Sequence, residues 1–168
     1  MGLALFIFIV FSVGMFTAAY KDAMTMTIPN WVSLLVLGSF FLVIPFVWQG
    51  WAIFGEHLLI GFSVFLLGFI LFAMGGLGGG DAKLMAATAF WWQTSDLLLY
   101  TMYTTLSGGA IAAFILFGRK YLPARVLTAP WAYKLIKDEK NMPYGLALAF
   151  GALATLPQSE IFKIAAGM

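Results

Sequence analysis

Long uncharged apolar stretches, broken by short polar or glycine-rich segments, recur from one end of the chain to the other. A helix needs about 20 apolar residues to cross the hydrocarbon core of a bilayer, with roughly 17 to 25 tolerated. On that ruler, spans fall at 3–20, 31–48, 53–74, 84–95, 97–117 and 144–162. The pattern predicts an all-α polytopic membrane protein of about six transmembrane helices. The fourth segment, KLMAATAFWW and a few polar residues after it, is short: a dozen residues rise only about 18 Å. Either the glycine run GGLGGG before it dips into the membrane as non-helical backbone, or 84–117 folds as a helical hairpin with its tip, Gln93 to Asp96, at shallow depth. Non-helical backbone is tolerated there only where protein or a wet cavity surrounds it. The first reading is the more economical.

Composition agrees with the pattern. The chain is 62% hydrophobic and 10% charged, against a soluble norm of roughly 45–50% and about 25%. No polar tract is long enough for a separate soluble domain, so residues 1–168 read as one membrane domain. With no cysteine, a disulfide framework, a thiolate zinc site and a cysteine nucleophile are excluded. Zinc needs at least three protein ligands and there is one histidine, so Glu56 and His57 read as a local pair or an interfacial anchor. No metal, cofactor or nucleic acid is expected. The first twenty residues lack the basic region of a signal peptide and read as a retained span.

Basic residues in short loops favour the cytoplasm. Six of the nine lie in the loop 118–142, and Lys83 and Lys21 count back to the same side, leaving Lys163 opposite. Both termini are then expected outside. The turn from Gly50 to Ala52, flanked by Trp48 and Trp51, becomes an outer one. Trp131, Tyr133, Leu135 and Ile136 would let the basic loop lie on anionic lipid as an amphipathic helix.

This topology puts Asp22, after the first span, and Asp81, before the fourth, on one face of the membrane. In YKDAMTMTIPNW, Thr27 is suited to cap the second helix and Pro29 to stand in its first turn. Asp22 also reads as an ordinary juxtamembrane charge beside Lys21, and the glycines before Asp81 as helix packing. Taken as a pair, the carboxylates suggest aspartyl hydrolysis within or beside the bilayer. Two close carboxylates do not both ionise cheaply and share a proton. One then accepts a proton from water while the other donates to the scissile carbonyl. The bare backbone of Gly78, Gly79 and Gly80 would let an extended substrate add as a strand. Asp22 lies near the negative end of the first helix and Asp81 near the positive end of the fourth, so Asp81 is expected to hold the charge. Asp96, on the outer side, and Asp138 and Glu139, inside the basic loop, are set aside. GGLGGGDAK does not fit GxxxxGK[ST], and a phosphate loop is not expected.

Asp22 followed by IPN at 28–30, Gly78-Gly79-Gly80-Asp81 as GxGD with Lys83 after it, and MPYGLALAFGA opening the last span together resemble the type IV prepilin peptidases, which are GxGD membrane aspartyl proteases. The resemblance covers nearly the whole chain. It implies that Asp22 and Asp81 are the catalytic pair, with Lys21, Lys83, Pro29 and Asn30 supporting them. The implied reaction is removal of a short basic leader from prepilins at the cytoplasmic face of the bacterial inner membrane. Longer members carry a cysteine-rich cytoplasmic segment and N-methylate the new terminus; that second activity is not expected here. The short form is similar to the peptidases of tight-adherence (Flp) pili. Its implied partners are prepilins and pseudopilins, with membrane lipid around it and self-association into a homo-oligomer left open. The rival class is a small transporter or pilus assembly subunit using membrane carboxylates for ions or protons; a purely structural scaffold leaves both motifs unexplained.

Overall fold

The structure is a computed structural model that describes residues 2–121 and 142–168. Among the described residues there are helices and turns and no strand. In order they are α1 (Gly2–Thr25), α2 (Asn30–Val43) continued by a 3-10 turn (Ile44–Val47), α3 (Trp51–Ala73), α4 (Gly79–Ala89), α5 (Thr94–Tyr121), α6 (Tyr144–Thr155), a 3-10 turn (Leu156–Gln158) and α7 (Glu160–Ala166).

Four segments are long and apolar enough to cross a membrane: α1, α2 with its 3-10 turn, α3 and α5. A fifth is α6 with α7, bent by 47° at the break between them. The chain is thus a multi-helix membrane protein; the described residues supply four such spans, or five with the bent pair, and the expected count of about six is not confirmed. The exception is α4, whose eleven residues fall short of a span. Its missing length is met in two ways. The helix begins at Gly79 rather than Leu84, so two of the glycines expected in open backbone form its first turn. Beyond its last turn, Gln93 reaches Gln49 and the start of α5 at Thr94 reaches Glu56, both at the Trp48 end of the bundle.

Local chemistry sets the breaks. Pro45 lies in the first turn of the 3-10 segment that ends α2, where its missing N–H costs least. α3 ends in a Schellman motif: Gly75, at φ 75°, donates to the Phe72 carbonyl and Gly76 to that of Leu71. A glycine is favoured there because side chains make that backbone conformation costly. Pro29 is the N-cap residue of α2 rather than a first-turn residue, and no side chain caps the helix. Thr27 instead pairs its hydroxyl with that of Thr25.

The core lies around α4, which packs against α2, α3 and α6. Leu84, Trp91 and Trp92 are fully buried there with Phe11, Met15 and Phe40. Trp91 meets Phe11 edge-on with ring centroids 5.3 Å apart, and its Nε1 donates to the Val36 carbonyl at 3.0 Å. In contrast, α3 packs on α4 and, among the described residues, on little else. Glycines make that contact close: a Cβ at Gly61 would stand 2.5 Å from the Phe90 ring. The basic loop expected from residue 118 starts later, since α5 runs to Tyr121; residues 122–141 lie outside the described residues.

Candidate active site

Asp22 and Asp81 come from different helices and line one cavity of about 230 Å³, together with Met26, Thr27, Ile28 and Gly78 to Gly80. Asp22 lies three residues before the end of α1 and Asp81 in the first turn of α4. Both are buried, at 4% and 8% exposure; among the other described Asp, Glu, Lys and Arg side chains only Asp96 is as deeply buried.

The two carboxylates differ in their partners. Asp22 Oδ2 accepts a hydrogen bond from the backbone N–H of Gly145 at 2.7 Å, across 123 residues of sequence. That amide belongs to the first turn of α6, where backbone donors have no partner within the helix. Only glycine fits at this point. A Cβ on residue 145 would lie 2.7 Å from Ile28 Cδ1, 2.8 Å from Asp22 Oδ2 and 3.0 Å from Asp22 Cβ. Asp81, by contrast, has a buried Oδ1 with no hydrogen-bond partner in the protein. The amide favours charge on Asp22 and leaves Asp81 as the member suited to carry a proton, the reverse of what the helix ends alone predict.

The glycines divide the work of shaping this cavity. Gly78 is extended, at φ −66° and ψ 142°, and a Cβ there would stand 2.6 Å from Asp81 Oδ2. Gly79 packs on the Phe72 ring. Gly80 lies against the backbone of Ile28, with its nitrogen 3.2 Å and its oxygen 3.3 Å from where a Cβ would be. The close backbone approach at Gly80 is therefore to the chain's own IPN segment, which brings the two motifs together.

Of the other predicted residues, Lys83 Nζ donates to Asn30 Oδ1 at 2.9 Å, joining the residue after GxGD to the residue after Ile-Pro. Lys21 is exposed and Pro29 ends the linker into α2. Glu56 and Asp96 stay at the opposite end, as expected, but each has a structural task. Glu56 accepts from the N–H of Thr94 at 2.9 Å and from its hydroxyl at 2.7 Å, and Asp96 Oδ2 accepts from the N–H groups of Gln93 and Glu160. His57 is fully buried against Phe40, far from a surface anchor. Among the described residues no group of three or more His, Cys, Asp or Glu side chains could hold a metal ion.

Gly145 is the residue that sequence reasoning did not single out. It stood inside the PYG of the last span, and nothing local to that tripeptide announces a bond to a carboxylate on α1.

No curated protein and no solved structure matches the chain. The model of the type IV leader peptidase family matches residues 9–115, a stretch that holds both aspartates, the IPN segment and the glycine run. A buried pair of carboxylates in a bundle of apolar helices, matched over well more than half its length by that model, belongs to the type IV leader peptidase family, whose members are aspartic-type peptidases acting on prepilins.

Proposed function

We propose that the chain is the endopeptidase that removes the basic leader from Flp-type prepilins and pseudopilins at the cytoplasmic face of the bacterial inner membrane, with Asp22 and Asp81 as its catalytic pair. The observation that carries this reading is the shared cavity: two buried carboxylates from separate helices face one space large enough for a water and a segment of peptide. The basic residues at the Asp22 end support the cytoplasmic side.

The geometry suggests a division of roles. Asp22, held by the Gly145 amide, is the base. It takes a proton from a water as the water oxygen bonds to the scissile carbonyl carbon. Asp81, protonated, donates a hydrogen bond to the carbonyl oxygen as that oxygen gains charge. Collapse of the tetrahedral intermediate breaks the C–N bond, and the proton on Asp22 passes to the leaving amine. Water and amide are consumed, acid and amine are formed, and the pair returns to one shared proton.

The test is leader cleavage of a co-expressed Flp-type prepilin in membranes by wild type, Asp22→Asn and Asp81→Asn at equal expression. Asparagine keeps the shape and removes the acid–base function. Wild-type cleavage lost in both variants supports the reading; cleavage that survives either substitution overturns it.

A further inference from the structure

Beside the carboxylate cavity the bundle is open to the bilayer along one line. A groove of about 450 Å³ runs between α2 and α3, floored by Ala86 and Ala87 of α4. A second hollow of about 240 Å³, between α3 and the first turn of α4, joins it to the site. The joining is explicit in the shared walls: Gly79 lines both the carboxylate cavity and the second hollow, and Lys83 and Phe65 line both the hollow and the groove. From Gly79 to Phe90 the floor advances eleven residue steps, about 16 Å or three helical turns. The wall on α3 is a stripe of phenylalanines, 62, 65, 69 and 72, spaced three and four residues apart and half exposed or more.

Polarity changes along the line. The end nearest the aspartates carries Asn30, Ser33 and Lys83, and the Ser33 hydroxyl is buried without a hydrogen-bond partner. The far end, with Leu37, Phe62 and Phe90, is wholly apolar. A lipid would set its headgroup at the near end and its tail at the far end, but neither needs the small-residue floor of Ala86 and Ala87. A peptide that is extended and polar at the cleaved bond, then apolar and helical beyond it, matches both ends. An apolar helix also gains most from a groove with a small-residue floor, because close backbone approach supplies the packing that replaces the hydrophobic effect inside a bilayer.

We propose that this groove seats the apolar helix that follows the scissile bond of the substrate, so that the helix enters from the bilayer between α2 and α3 and delivers its amino-terminal end to Asp22 and Asp81. The proposal rests on the peptidase reading above. The absence of cysteine from the chain gives a clean test. Single cysteines are introduced at groove positions (Leu34→Cys, Phe65→Cys) and on the outer faces of α1 and α5 (Phe16→Cys, Leu116→Cys). Each is oxidised in membranes with prepilins carrying one cysteine at successive positions after the bond, and wild-type cleavage of the same prepilin is followed in parallel. The expected result is disulfide formation several-fold higher from the groove positions than from the outer faces, rising and falling along the substrate with the 3.6-residue period of a helix. Cleavage by wild type with crosslinks equal at all four positions, or none from the groove, overturns the groove and leaves the peptidase reading intact; a lipid then fills it. Failure of wild type to cleave overturns the peptidase reading and the groove with it.

Discussion

Replacing Gly145 by alanine adds one methyl group at the point where α6 touches Asp22. The new Cβ would stand 2.7 Å from Ile28 Cδ1 and 2.8 Å from Asp22 Oδ2, both well inside van der Waals contact. Either α6 withdraws, which breaks the 2.7 Å bond from the amide, or Asp22 turns away from it. A hydrogen bond to a charged group contributes about 1.5–3 kcal/mol, and overpacking a core typically costs about 1–3 kcal/mol. If the lost bond weighs wholly on the transition state, kcat/KM falls about 10- to 150-fold. The assay is leader cleavage under single-turnover conditions with purified enzyme, alongside the melting temperature of each variant. Gly38→Ala is the control, because no atom lies within 4 Å of its added Cβ. In the middle of α2 it is expected to hold or raise stability, since alanine favours helix over glycine by about 0.5–1 kcal/mol. A Gly145→Ala enzyme with wild-type kcat/KM and melting temperature would refute the assignment of the Gly145 amide as the group that holds Asp22.

Gly78→Ala tests the other carboxylate. Its Cβ would meet only the end of the Asp81 side chain, which is free to rotate, so the variant is expected to melt like wild type while cleaving more slowly. Gly61→Ala presses on three atoms of the Phe90 ring at 2.5–2.6 Å, and its melting temperature should fall as α3 is pushed from α4; an unchanged value would mean that α3 is held elsewhere. Trp91→Phe keeps the ring contacts and removes one donor to the Val36 carbonyl, which still accepts from the Ser39 hydroxyl, so the loss of about 0.5–1.5 kcal/mol is to be read as a modestly lower melting temperature.

The long spans were legible because bilayer thickness imposes a length that few other contexts demand, and apolar runs of that length are plain in the sequence. The start of α4 was not. Glycine has low helix propensity, so a run of glycine reads as open chain; yet Gly79 and Gly80 sit in a first turn, where packing against Phe72 and Ile28 overrides propensity. Thr27 fits the composition of a cap but pairs with Thr25, because Pro29 already sets the extended entry to α2. The aspartates were legible through their motifs, and the match to a leader peptidase model decides against the transport alternative. Their partners were not, since the Gly145 contact spans 123 residues and depends on how α6 returns against α1. The helix-end argument saw two charges in two dipole fields and missed the single amide that distinguishes them.

The shortness of α4 is what brings a carboxylate into the bundle. Its far end is tied to the Trp48 side by Gln93 and Thr94. From Asp81 to its last residue, Ala89, α4 rises only about 12 Å, where a full crossing of the hydrocarbon needs about 30 Å. Asp81, in the first turn of so short a helix, is 8% exposed and enclosed by the bundle. An isolated helix could not leave its first-turn N–H groups and an acidic side chain at such depth. Here α2, α3 and α6 surround it, and the last turn of α1 brings Asp22 to the same cavity. The helix is short enough to keep its acid inside the bundle, where the cavity shared with Asp22 surrounds it. On the peptidase reading proposed above, an apolar helix with the scissile bond at its head can present that bond to the pair from within the bundle.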